Sequence, residues 1–134
     1  MVSAVVSVTA CTQKLDASKV PVPVKESFAR QFPGAAAKWV KEDEKYEAGF
    51  KQGGHEMSAV FEASGTLTES EMEIPLAELP AAVKSYIKTH YNGASIKEAA
   101  KITNATGKIE YEAAIKGKDI ICDADGNFIK EVKN

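Results

Sequence analysis

The sequence predicts an α+β fold: two tandem repeats, each a helix followed by four antiparallel strands, joined in one continuous sheet with the helices on one face. Three observations carry this. The tripeptide Tyr46-Glu47-Ala48 returns as Tyr111-Glu112-Ala113. A Pro-led stretch with helical apolar spacing precedes each copy, at Pro23 and Pro80. An apolar strand ending in a Gly turn follows each, at Val60-Phe61 before Gly65 and Ile121-Cys122 before Gly126.

The first helix is set by Val24, Phe28 and Phe32, four apart on one stripe. Lys25, Glu26, Arg30 and Gln31 lie off that stripe, and Pro33-Gly34 stops the helix. Pro23 suits its first turn, where a missing N–H costs nothing. Strands are predicted over residues 37–42 around Trp39, 46–50, 55–63 and 66–74. Tyr46, Ala48 and Phe50 share one strand face, as do Met57, Ala59 and Phe61. In the second half Val83, Ile87 and Tyr91 repeat Val24, Phe28 and Phe32, and Gly93 repeats Gly34. Strands follow over residues 95–102, 109–116, 119–123 and 127–132, the last two joined at Asp125-Gly126, a strong hairpin signal. Helices on one face leave the other face wet, because the strands alternate apolar residues with Glu or Lys.

Residues 1–10 are small, apolar and uncharged. Val8-Thr9-Ala10-Cys11 resembles a bacterial lipobox, in which the cysteine becomes the lipidated N-terminus. Acyl chains on Cys11 would hold the domain at a membrane surface. Residues 12–19 are polar and read as a tether. The predicted organisation is therefore a leader and tether over residues 1–19 and a domain over residues 20–134, with repeats 20–74 and 75–134.

Composition excludes several functions. The chain has 134 residues, 44% hydrophobic and 27% charged, which fits one folded unit. A net charge of -2 lacks the basic excess that phosphate binding needs, so no nucleic-acid partner is expected. No apolar run is long enough to span a bilayer, so membrane contact is expected only through the lipid. His55 and His90 have no metal-ligand spacing, and Cys11 and Cys122 supply no zinc pair, so no metal is expected. Cys122 aligns with the inward Phe61 and reads as a buried, inert thiol. Asp123-Ala124-Asp125-Gly126-Asn127 lacks the ligand set of a calcium loop and reads as a turn, as does Asn104-Ala105-Thr106. No nucleophile elbow, phosphate loop or dinucleotide fingerprint occurs, so neither catalysis nor a cofactor is expected.

The order Val-Pro, Val-Lys, Phe-x-x-x-Phe-Pro-Gly-Ala, Trp, Tyr-Glu-Ala, then Gly, Thr-Glu-Ser-Glu-Met-Glu-Ile and Leu-Pro-Ala-Ala-Val-Lys spans about residues 20–130. It resembles the PepSY-like family of β-lactamase-inhibitor-like proteins, common in the cell envelope of Bacteroidetes. The resemblance implies the tandem-repeat sheet and a secreted or lipid-anchored, periplasmic or outer-membrane location. It implies inhibitor-like architecture and transfers no activity.

The most distinctive surface feature is acidic. Glu69, Glu71 and Glu73 alternate along one strand. Glu47, Glu62 and Glu112 are expected to join them on the open sheet face. These residues read as a docking surface for a basic envelope protein, on a monomer, without a substrate pocket. Trp39 and Tyr86 are the candidate exposed aromatic anchors. The alternative is a ligand-sensing or structural envelope lipoprotein without inhibitory activity.

Overall fold

A computed structural model of the protein describes residues 12–133. Among these, nine strands form one antiparallel sheet in which every strand pairs with its neighbours in chain order. They are β1 (Thr12–Leu15), β2 (Lys38–Glu42), β3 (Lys45–Gln52), β4 (His55–Phe61), β5 (Leu67–Ile74), β6 (Glu98–Asn104), β7 (Ile109–Ile115), β8 (Lys118–Asp123) and β9 (Phe128–Lys133). Helix α1 (Val22–Gln31) connects β1 to β2, and α2 (Ala81–His90) connects β5 to β6. Both begin after a proline, Pro21 and Pro80, whose fixed φ starts the turn.

The tether expectation is corrected at residues 12–19. Thr12–Leu15 pairs with β2, Leu15 opposite Trp39, and a 3-10 turn at Ala17–Lys19 leads into α1. The second half shows why. There β5 ends with Ile74 opposite Ala99, and a 3-10 turn at Leu76–Glu78 leads into α2. β1 is thus the counterpart of β5, and β5 closes one repeat while opening the next. Its polar sequence hid it: Leu15 packs against the core, while Gln13 and Lys14 are exposed. The strand expected over residues 95–102 begins instead at Glu98, with the Lys97 N–H donating to the Ala114 carbonyl at 2.7 Å.

Two hydrophobic clusters form. Val24 and Phe28 of α1 pack with Trp39, Ala48, Phe50, Ala59 and Phe61. Val83 and Ile87 of α2 pack with Ala99, Ala113, Ile115, Ile120 and Cys122. Alanines at Ala48, Ala59, Ala99 and Ala113 are buried and have no bulk to hold a helix away from the sheet. The first cluster is aromatic, with Phe28 5.0 Å from Phe50 and 5.5 Å from Trp39 between ring centroids, both edge to face. The second fills the same positions with aliphatic side chains and one thiol. Cys122 is fully buried where Phe61 sits in the first half, and burial raises its thiol pKa, so the inert reading holds.

The halves also share irregularities. The register shifts between Val60 and Phe61 on β4, and between Ile121 and Cys122 on β8. Each shift leads into a turn pressed against the start of a helix. A Cβ on Gly65 would lie 2.6 Å from the Pro23 carbonyl oxygen, and one on Gly126 2.6 Å from that of Ala82. Both glycines have positive φ, +92 and +83. Gly65→Ala and Gly126→Ala are each expected to cost about 2–3 kcal/mol in urea unfolding, because backbone strain and a backbone clash add. Gly107→Ala, with positive φ but open space, is expected to cost about 1 kcal/mol. Equal losses at all three would show that the turn-to-helix contact contributes nothing.

Candidate functional site

Strand alternation sends the side chains that do not join the two clusters to the opposite face. The ladder arranges them in cross-strand rows. One row runs Val40, Glu47, Val60, Glu69, Asn104. The next runs Gly49, Ser58, Glu71, Ile102, Glu110. A third runs Glu73, Ala100, Glu112, Ile121, Lys130. A fourth runs Glu98, Ala114, Asp119, Val132. Four of the five expected partner-binding residues, Glu47, Glu69, Glu71 and Glu112, therefore share one face.

Glu62 does not join them. It follows β4, is exposed, and its N–H donates to the Thr66 carbonyl at 2.9 Å. With Lys41 and Tyr46 it lines a separate depression. The register shift at Val60 and Phe61 ends the alternation before Glu62 is reached.

The face is also drier than expected. Glu71 is 2% exposed, Glu112 4% and Asp119 2%, and Ile102 and Ile121 are buried beside them. Glu47 and Glu69 are half-buried. Sequence alternation gives the face of each residue but not its burial.

Burial sets the protonation of the site. It pushes the Glu47 carboxyl up to about 7, with Glu42 and Glu69 adding repulsion. It pushes Glu112 up to about 8, with Asp119, Glu69 and Glu98 acting in the same direction and Lys130 against it. Glu69 is raised chiefly by burial, and so is Glu42. Low dielectric and neighbouring like charge both disfavour the ionised form.

Two open depressions lie on this side, where the sequence suggested none. One of about 660 Å³ is lined by Glu42, Lys45, Val60, Glu69 and Asn104 among others. Another of about 540 Å³ is lined by Lys38, Glu47, Gly49, Lys51 and Ser58 among others. Gly49 opens the second, having no side chain in its row.

The expected aromatic anchors are partly corrected. Trp39 is 8% exposed and belongs to the first core. Tyr86 is half-buried and stacks between His90, at 4.0 Å, and Phe128, at 5.7 Å. Phe128 is the exposed aromatic that the sequence reading missed, at 45% on the edge strand β9. Its signal was position alone, the first residue after the turn. His90 is exposed, with Nδ1 3.1 Å from the Tyr86 carbonyl oxygen. Among the described residues no group of His, Cys, Asp and Glu is arranged to hold a metal, and no helix is long and apolar enough to cross a membrane. Cys11, the expected lipidation site, lies outside the described residues.

The raised carboxyls make stability depend on pH. A group whose pKa is higher folded than unfolded favours the folded state below its unfolded pKa and loses that contribution as pH rises through the folded value. For Glu47 the window runs from 4.5 to about 7, and for Glu112 from 4.5 to about 8. The protein is therefore expected to unfold more easily near pH 8.5 than near pH 5. Glu112→Gln and Glu47→Gln are each expected to recover on the order of 1–2 kcal/mol near pH 8.5 and to change little near pH 4. Urea melts across that range check it; parallel pH curves for wild type and both variants would refute the assignment.

A family model described as "Putative beta-lactamase-inhibitor-like, PepSY-like" matches residues 6–69 and again residues 44–130. Two overlapping matches are what two copies of one unit produce. A crystal structure of a putative periplasmic protein from Bacteroides eggerthii superposes with a TM-score of 0.75, at 15% identity over 85% of this chain and 88% of that one. A BLIP-like protein from Bacteroides fragilis superposes with a TM-score of 0.67, at 21% identity over 84% of this chain and 86% of that one. These likenesses show the fold. No curated protein gives a significant match. On the double family match, which spans most of its length, the chain belongs to the PepSY-like, β-lactamase-inhibitor-like family.

Proposed function

We propose that the protein is a non-catalytic binding module of the cell envelope that engages a basic protein through its acidic sheet face. In this reading both helices cover the other face, which leaves the acidic face as the broad rigid surface available to a partner. One observation carries it: the partly exposed carboxylates Glu47, Glu69, Glu73, Glu98 and Glu110 share one face, and few lysines stand among them. Negative potential over such a face steers and selects a basic partner. Family membership and periplasmic relatives of the same fold support an envelope location. In the same reading Cys11 carries the lipid that holds the module at the membrane.

Two experiments test it. Glu47→Lys with Glu69→Lys is expected to keep the fold, and to abolish co-purification of a stoichiometric basic protein from envelope extract at low salt. Glu26→Lys, on exposed α1 surface, is expected to change nothing. High salt is expected to weaken the wild-type complex. A complex indifferent to both charge reversal and salt would move the binding surface elsewhere. Separately, the native gene is expected to yield protein that incorporates labelled palmitate, and Cys11→Ser to abolish incorporation. Unlabelled wild-type protein would sink the anchor.

A further inference from the structure

Gly49 stands inside β3 for no reason internal to the fold. Its φ is not positive, so the backbone does not require glycine there. A Cβ on it would meet only the Lys38 carbonyl oxygen, at 3.8 Å, an ordinary contact. In the second half the residue after Tyr-Glu-Ala is Ala114 on β7, so the same ladder accepts a side chain. A glycine inside a strand weakens it and marks a place where something else comes close. What Gly49 does is keep open the depression of about 540 Å³ that it lines, a size that suits a small molecule.

The groups around this opening differ from those in the second half. Lys38 on β2 and Ser58 on β4 stand directly opposite Gly49 on its two sides, each about 5 Å away at the backbone. Glu98 and Asp119 flank Ala114 in the same way. A cation and a hydroxyl thus replace two acids. Ser58 is the second observation. It is 7% exposed, it lines the depression, and its hydroxyl has no hydrogen-bond partner among the described residues. A hydroxyl so far withdrawn from water is rarely left unsatisfied. Lys38 is exposed and has no ion pair among the described residues, whereas Lys51, two residues further along β3, is already held 3.9 Å from Glu56. The opening therefore offers one unpaired ammonium and one unpaired hydroxyl, on either side of a gap.

We propose that this depression binds a small carboxylic acid, its carboxylate lying over Gly49 between the Lys38 ammonium and the Ser58 hydroxyl. A carboxylate has two oxygens in one plane and so accepts from both sides of the gap at once. The ligand is a monoanion, because Glu47 and Glu56 line the same depression and would repel a second charge. Burial pushes the Glu47 carboxyl up to about 7. Below that pH it carries a proton that it can donate to the ligand, and above it its charge opposes the ligand. The charged groups around Glu47 on this face are Lys38 and Glu42 on β2, Lys45 and Lys51 on β3, Glu56 on β4 and Glu69 on β5. Of these, Glu42 and Glu69 act on it, and both favour its protonated form. The site stands apart from the protein-partner reading, since it takes a small anion and that reading a basic protein.

The test follows the amide signals of the nitrogen-15-labelled full chain as hexanoate is added near pH 6. Saturable shifts are expected at Gly49 and Ser58, with hexylamine and inorganic phosphate giving none there. Lys38→Met, on exposed surface, is expected to keep the fold and weaken hexanoate at least five-fold, and Ser58→Ala at least three-fold. Gly49→Val fills the gap where a Cβ has room and is expected to weaken it at least ten-fold in a folded protein. Raising the pH to near 8 is expected to weaken wild-type binding at least three-fold, and Glu47→Gln to remove that dependence. Ala114→Gly opens the matching place in the second half and is expected to add no second site, because Glu98 and Asp119 flank it. Absence of saturable shifts at Gly49 and Ser58, equal binding of hexylamine or phosphate, affinity that rises with pH, or wild-type affinity in both Lys38→Met and Gly49→Val would overturn the site. A second hexanoate site in Ala114→Gly would refute the part given to Lys38 and Ser58.

Discussion

The structure depends on one uninterrupted antiparallel ladder. Each strand pairs with the next in chain order, and the pairing continues from β5 to β6, where one repeat passes into the other. A period of two then assigns every strand residue to one of two faces, and a slip of one residue would exchange them all. The apolar set packs with the helices. Most carboxylates fall on the other set. Neither cluster nor acidic face could exist without that register, because each strand alone is too short to hold its side chains in place.

Duplication provided two copies of the frame, and the copies took different solutions to the same packing problem. Phe28, Trp39, Phe50 and Phe61 fill the first core with rings set edge to face. Ile87, Ala99, Ile115 and Cys122 occupy the matching places in the second. Total bulk is lower there, and Tyr86, Tyr91 and Ile96 pack at its margin. Tyr91 also donates to Glu131 at 2.9 Å, and Lys118 lies 3.4 Å from the same carboxylate. That group ties the end of α2 to the edge strand β9. The turns at Gly65 and Gly126 did not diverge, since each must pass within contact of a helix start and no side chain fits.

Buried carboxylates set this protein apart from a sandwich built for stability alone. Burial and mutual repulsion both raise Glu47 and Glu112, so these two carboxyls hold their protons in the folded state well above the ordinary carboxylate range, and ionising them works against folding. A hydrophobic replacement would remove that cost. Acids held in a destabilising place are a feature of sites that act on something outside the fold. The apolar clusters and the continuous ladder supply the surplus that tolerates them.

The sequence by itself determined the repeat, the class and the two faces, because those follow from local spacing. Val24, Phe28, Val83 and Ile87 are four apart in pairs, Tyr-Glu-Ala occurs twice, and Glu69 and Glu71 alternate. Each of these can be read in a window of a few residues. Tertiary structure decided three things that no window contains. Thr12–Leu15 became a strand because β2 offered an edge and Leu15 a single anchor, although its own composition is polar. Glu62 left the acidic face because a register shift ended the alternation one residue earlier. Glu71 and Glu112 became buried although alternation places them on the face away from the two apolar clusters. Alternation is a property of neighbours along the chain, whereas burial depends on what distant parts of the chain bring near, so the first was legible and the second was not.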